Sequence, residues 1–286
     1  MTDRDSSAES PADRSFEIEL KLLIDAIYLK YHYDFREYAG ASLKRRLLAA
    51  LERFDCATLS QLQDRLLHDT EVFPQLLDYL TVQVSEMFRD PDYFLALRQT
   101  VIPMLRTYPS LKIWVAGCST GEEVYSFAIL LREEGLLDRT LIYATDINTN
   151  ALARAAAGVY SVDRIAGFTD NHRRSGARNS LSDYYTAAYG RAMFDKSLRK
   201  NIVFSDHSLA TDSVFAEVQL VSCRNVLIYF NRELQDRALG LFSDALCRKG
   251  FLGLGSKESL RFSRHADAFA DLVREQRLFQ KQDFAA

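Results

Sequence analysis

Two hydrophobic periods divide the chain. From Phe16 to about Arg53 apolar residues recur at helical spacing, with Ile18, Leu22, Ile27 and Leu29 forming one predicted stripe and Leu43, Leu47, Leu48 and Leu51 a second. Further helices are predicted over Leu59–His68 and Glu71–Leu80, so residues 16–82 read as a small helical domain behind a polar tail, residues 1–15. After Tyr108 the period shortens. LKIWVAG predicts a strand at Leu111–Ala116, and the following GCSTGEEVYSFAILL switches to helix. Strands are also predicted at Thr140–Thr145, Val218–Ser222 and Phe251–Gly255, alternating with helical segments. That alternation predicts an α/β domain with a largely parallel sheet over residues 83–286. Residues 158–201 interrupt it with the basic loop NHRRSGARNS, three tyrosines and a hairpin signal around Gly190, which predicts an inserted β-subdomain.

Composition removes several alternatives. The 36 Lys and Arg residues against 39 Asp and Glu give a net charge of −3, which offers no basis for wholesale nucleic-acid binding. Cys56, Cys118, Cys223 and Cys247 have no CxxC spacing and read as reduced thiols. No run approaches about 18 apolar residues and no signal peptide is visible, so a cytoplasmic protein without membrane insertion is expected. The five histidines are scattered without a ligand spacing, so no metal is expected. No GxSxG elbow suggests serine hydrolysis. No oligomerisation motif stands out, and a monomer is the expectation. One local feature departs from the balanced charge: Lys44, Arg45, Arg46 and Arg53 cluster on the second helix, either as a solvated face or as a docking surface for an acidic partner.

The strand-to-helix switch at Gly117-Cys118-Ser119-Thr120-Gly121 places small residues where a ligand can approach backbone amides. It is neither GxGxxG nor a phosphate-binding P-loop. Asp146 closes the next strand, where a carboxylate can accept hydrogen bonds from ribose hydroxyls. Together these features point to a nucleoside-containing cofactor, with both NAD and S-adenosylmethionine open. Glu122 and Glu123 in the first turn of the helix favour a ligand bearing an ammonium group over a pyrophosphate, although acids at a helix start are favourable without any ligand.

At this level the chain resembles the CheR-type chemotaxis receptor methyltransferases. The resemblance is carried by YDFREYAGASLKRRL at 33–47, VQVSEMFRDPDYF at 82–94, WVAGCSTGEEVYSFAILL at 114–131, IYATDINTNALARAAAGVYS at 142–161, SCRNVLIYFNRELQ at 222–235 and FLGLGSKESL at 251–260. It implies a class I S-adenosylmethionine-dependent methyltransferase fold with an N-terminal helical domain and an inserted antiparallel β-subdomain. It also implies methylation of glutamate side chains on the cytoplasmic helical region of a chemoreceptor, with S-adenosylhomocysteine as product. By the same resemblance Gln83, Ser85, Arg89, Gly117, Glu122, Asp146, Ser208, Leu209, Arg224 and Asn225 line the cofactor pocket, and Arg89 and Tyr229 serve catalysis. Departures from the family pattern are Gln83 for Asn, Ser85 and Met87 in T-x-F-F-R, Val124 for Pro, Ser208 for Asn, and GSKES for GHSES.

Methyl transfer to a carboxylate needs no strong general base, because the glutamate nucleophile is already ionised near neutral pH. Alignment and desolvation carry the rate. Arg89 can hold the acceptor carboxylate through its donor fork, unless it pairs with Asp90 or Asp92. Tyr229 can orient one carboxylate oxygen. Two further readings stay open on sequence alone: a catalytically weak S-adenosylmethionine-binding scaffold, and a methyltransferase acting on a different signalling protein.

Overall fold

A computed structural model describes residues 11–283, with side chains from Arg14 onward; most of the expected tail 1–15 lies outside the described residues. The chain divides into two compact units, with the boundary along the chain between Thr81 and Val82.

The first unit consists of α1 (Pro11–Tyr31), α2 (Gly40–Arg53), α3 (Leu59–His68) and α4 (Val72–Leu80). The helical stretch expected from Phe16 to Arg53 is two helices, with His32 in the left-handed region at φ 64° after the end of α1. The core side of α1 is Leu23, Ile24 and Ile27, whereas the expected stripe residues Ile18, Leu22 and Leu29 are exposed. This helix is apolar on more than one face, and spacing alone does not say which face finds a partner. Lys30 donates from Nζ to the carbonyls of Leu66 (3.2 Å) and Leu67 (2.7 Å), satisfying acceptors in the last turn of α3. The basic cluster on α2 also needs correction. Arg46 is 9% exposed, donating to Ser42 O and Oγ and to Leu80 O, so it is a buried tie inside this unit and no part of a docking face. Lys44 pairs with Glu17 at 3.3 Å, while Arg45 and Arg53 are exposed.

The second unit opens with α5 (Pro91–Ala96), which passes through a π-turn at Leu97–Val101 into α6 (Ile102–Leu105). Pro103 accounts for that irregularity, since it has no N–H to give to the preceding turn. Then follow β1 (Leu111–Ala116), α7 (Glu122–Glu133), β2 (Thr140–Asp146), α8 (Thr149–Ala157), β3 (Val159–Ser161), α9 (Ile165–Arg174), β4 (Tyr185–Ala188), β5 (Arg191–Phe194), β6 (Ile202–Asp206), β7 (Val218–Cys223), α10 (Arg232–Ala245), β8 (Leu246–Leu254), β9 (Phe269–Val273) and β10 (Leu278–Lys281).

Seven strands form one sheet in the order β6-β2-β1-β7-β8-β10-β9. Pairing is parallel from β6 through β8, then antiparallel at β10 and β9. β1 and β7 are buried over nearly their whole length, as strands covered on both faces must be. The chain winds outward from β1 to β2 and β6, then crosses to β7 on the other side of β1. The carboxyl ends of β1 and β7 therefore flank a topological switch point, where open α/β sheets bind ligands. Register keeps these ends level: Ala116 lies beside Thr145, Val115 beside Ser222 and Cys223 beside Leu254. The anticipated strand at Phe251–Gly255 is the last part of the longer β8.

The insertion is an antiparallel sheet, β3-β5-β4, with α9 in the long connection from β3 to β4. The hairpin expected at Gly190 is present, with Tyr189 and Gly190 both left-handed (φ 52° and 73°), as a tight two-residue turn requires. The segment NHRRSGARNS is not wholly a loop, because Asn171–Arg174 close α9. Two acids at the end of α7 hold the insertion in place. Glu133 accepts from Arg98, His172 (3.1 Å), the Tyr184 hydroxyl (3.2 Å) and the Asn179 backbone, and Glu134 pairs with Arg98, Arg106 and Arg178.

Candidate active site

Gly117 (φ 70°), Ser119 (φ 50°) and Gly121 (φ 90°) turn the chain from β1 into α7. A Cβ on Gly117 would collide with the Val226 side chain, and one on Gly121 would lie 2.7 Å from Ala155 Cβ, so both positions need glycine for space as well as conformation. Asp146 braces this turn from the end of β2. Its Oδ2 accepts from Ser119 N–H (2.8 Å) and its Oδ1 from Asn148 N–H (2.9 Å). Burial pushes the Asp146 carboxyl up from its ordinary value, against the backbone N–H groups that favour the charged form. Gln83 joins the same cluster, its Oε1 accepting from Ser119 Oγ at 2.6 Å. Cys118 lies inside the turn, where burial raises its thiol well above the usual range and keeps it unreactive.

The two acids at the start of α7 take different partners. Glu123 accepts from Ser222 Oγ (2.7 Å) and from Arg224 Nη1 (2.9 Å), which commits it to the sheet. Glu122 has no solvent exposure, accepting from Thr120 Oγ1 (2.7 Å) and pairing with Arg164 of the insertion (2.6 Å). Arg224, placed by the resemblance in the cofactor pocket, has its guanidinium engaged within the protein. The group is enclosed, paired with Asp90 (2.7 Å) and Glu123, donating to Arg89 O (2.8 Å), and stacked 4.1 Å over Tyr93. It is an anchor that draws the 89–90 segment to the carboxyl end of β7.

That anchor decides the state of Arg89. Phe88 and Asp90 are both left-handed (φ 50° and 56°), an unfavourable conformation on either side of one residue, held by the Arg224 bonds and by Phe88 N–H donating to Ser126 Oγ (2.8 Å). Because Arg224 takes Asp90, the half-buried Arg89 guanidinium has no ion pair among the described residues. Ser85 caps no helix, and its hydroxyl has no hydrogen-bond partner among the described residues. Ser208 and Leu209 follow β6, whose Asp206 lies beside Asp146. Ser208 N–H donates to Asp212 (2.9 Å), which shapes the loop, and Leu209 is buried. Tyr229 is half-buried in a short turn after β7, and Asn225 is left-handed at φ 62°.

Sequence reasoning passed over Glu258. This buried carboxylate accepts from the N–H groups of Gly255 (2.6 Å), Asn225 (3.1 Å) and Val226 (2.8 Å), tying the loop after β7 to the loop after β8. Burial pushes its carboxyl up, opposed by those same N–H groups. An acid just past the glycines of FLGLG was the available signal. His207 packs edge-on against Trp114, and its Nε2 donates to the Ser213 carbonyl (3.1 Å), which fixes it as a loop tie and not a base.

Residues 83–276 match the S-adenosylmethionine-binding domain of CheR methyltransferases, and residues 18–81 match the all-alpha domain of the same enzymes. The chain belongs to the CheR methyltransferase family. A Pseudomonas putida protein, the candidate methyltransferase Cher3, is 64% identical over 94% of this chain and 99% of its own length. A chemotaxis protein methyltransferase of Listeria innocua is 31% identical over 79% of this chain and 84% of its own. An uncharacterised 104.1 kDa protein of Rhodobacter capsulatus is 30% identical over 90% of this chain, which spans only 27% of that longer protein.

Membership makes S-adenosylmethionine the cofactor and methyl transfer the reaction class. The residues present fit that cofactor better than a dinucleotide. Glu122 and Asp146 are buried carboxylates on either side of the glycine turn, a setting that repels pyrophosphate and suits a ribose joined to an ammonium-bearing tail. Among the described residues no helix is long and apolar enough to cross a membrane.

Proposed function

We propose that this methyltransferase esterifies glutamate side chains on the cytoplasmic helical region of a chemoreceptor. The observation that carries the reading is Arg89: a half-buried arginine whose carbonyl is held by Arg224 just past β7, and whose guanidinium has no ion pair among the described residues while Arg224 occupies Asp90. A cation held in that state is suited to an incoming carboxylate. Bound S-adenosylmethionine supplies an electrophilic methyl group on a sulfonium. Asp146 would hold the ribose and Glu122 the ammonium of the tail, with Gly117 giving backbone access and Gln83, Ser85, Ser208, Leu209 and Asn225 lining the pocket. Arg89 orients the acceptor carboxylate, and the Tyr229 hydroxyl turns one oxygen toward the methyl carbon. No residue need remove a proton, since the acceptor is an anion before it arrives. Arg224 and Glu258 position Arg89 and Asn225 without touching the reacting atoms. The exposed Arg45 and Arg53 of α2 offer charge complementarity to an acidic receptor helix, with Arg46 no longer in that set, and the protein acts as a monomer.

The test is incubation with methyl-labelled S-adenosylmethionine and cytoplasmic receptor fragments. The expected result is base-labile label released as methanol and mapped to glutamate. Arg89→Ala is expected to lower turnover at least about 100-fold, the scale of one preorganised donor at a reacting group. Intact cofactor binding with label on some other residue type, or with none, would refute the reading.

A further inference from the structure

The pairing of Glu122 has a second member whose position is as telling as its own. Arg164 comes from the insertion, in the short turn between β3 and α9. Its Nη1 meets Glu122 Oε1 at 2.6 Å, its Nη2 donates to Ser85 O, and its guanidinium lies 4.8 Å from the Phe168 ring centre. The Glu122 side chain has no exposure, but that of Arg164 is 40% exposed. The pair thus presents a negative charge on the inside and a positive charge toward solvent, and the ring of Phe168 fixes the plane of the cation. A guanidinium carries five N–H donors, and two contacts leave part of the fork available for an anion.

We infer that Arg164 binds the carboxylate of the cofactor's amino-acid tail, making the insertion part of the cofactor site. This rests on the reading in which Glu122 meets the tail ammonium. An α-amino acid carries ammonium and carboxylate on one carbon, and the adjacent Glu122 and Arg164 are its charge complement. In the absence of the tail the two side chains neutralise each other, which avoids a bare buried carboxylate. Through Ser85 O the same guanidinium bears on the segment that carries Arg89, so tail binding is registered where the acceptor docks.

Calorimetry on the full chain with S-adenosylmethionine and its decarboxylated analogue tests this. The two ligands share the sulfonium and the ammonium and differ in the carboxylate. The wild type is expected to prefer S-adenosylmethionine by about 10- to 100-fold, the range for a charge-assisted hydrogen bond. In Arg164→Ala that preference should fall to within about threefold while affinity for the decarboxylated analogue is held or improved. Arg164→Gln, which keeps a donor for Ser85 O without the charge, should behave in the same way. A variant that retains the wild-type preference, or loses affinity for both ligands equally, overturns the inference while leaving the cofactor assignment standing. Failure of the wild type to bind S-adenosylmethionine would overturn both.

Discussion

Replacing Glu133 with glutamine removes a charge from the junction between α7 and the insertion. The Glu133 side chain is wholly buried, contacted by Arg98, His172, Tyr184 and Asn179. Burial alone would push its carboxyl up. The hydrogen bond from His172 and the charge and hydrogen bond of Arg98 outweigh that, holding it at about 2 against an ordinary 4.5. That gap corresponds to roughly 3 kcal/mol of folding free energy at neutral pH. Since the folded-state value lies below the unfolded one, the contribution is complete above about pH 4.5 and is lost as pH falls toward 2. Urea unfolding followed by the fluorescence of Trp114, the chain's single tryptophan and fully buried in β1, reports on this unit. Glu133→Gln is expected to cost about 3 kcal/mol at pH 7, with the difference from wild type shrinking to about half or less at pH 3. A penalty below about 1 kcal/mol at pH 7, or one that does not change with pH, would refute the reasoning.

Arg46→Glu places an acid against the carbonyl oxygens of Ser42 and Leu80, so it should destabilise the helical unit by about 3–5 kcal/mol in a denaturation series; a fully stable variant impaired only in receptor binding would restore the docking role. Glu258→Gln turns an amide NH2 toward at least one of the N–H groups of Gly255, Asn225 and Val226, and should cost about 2–4 kcal/mol in unfolding while lowering S-adenosylhomocysteine affinity in calorimetry at least about tenfold; unchanged affinity would show that the two loops do not shape the pocket.

The parallel core was legible from the chain because its signals are local. Largely apolar runs at Leu111–Ala116 and Val218–Ser222 suit strands covered on both faces, and the GCSTG switch demands left-handed turns that glycine supplies. The hairpin at Gly190 was legible for the same reason. β6, β9 and β10 were not: β6 and β9 are the sheet edges and β10 is an antiparallel addition, their partly exposed patterns resemble loops, and pairing, rather than composition, makes them strands.

Charged residues mark the boundary most sharply. That acids stand at the first turn of α7 and the end of β2, that a basic run lies on α2, and that Arg89 is followed by Asp90 can all be read along the chain. The pairing of those charges came with folding. It buried Arg46 against the Leu80 carbonyl, gave Asp90 to Arg224, set Glu123 on the sheet and left Glu122 with Arg164. Glu133 with Arg98 spans 35 residues, Glu122 with Arg164 spans 42, and Arg224 with Asp90 spans 134. A charge's energy depends on its burial and on the nearest opposite charge. Neither quantity exists along a chain until the sheet has closed around its switch point.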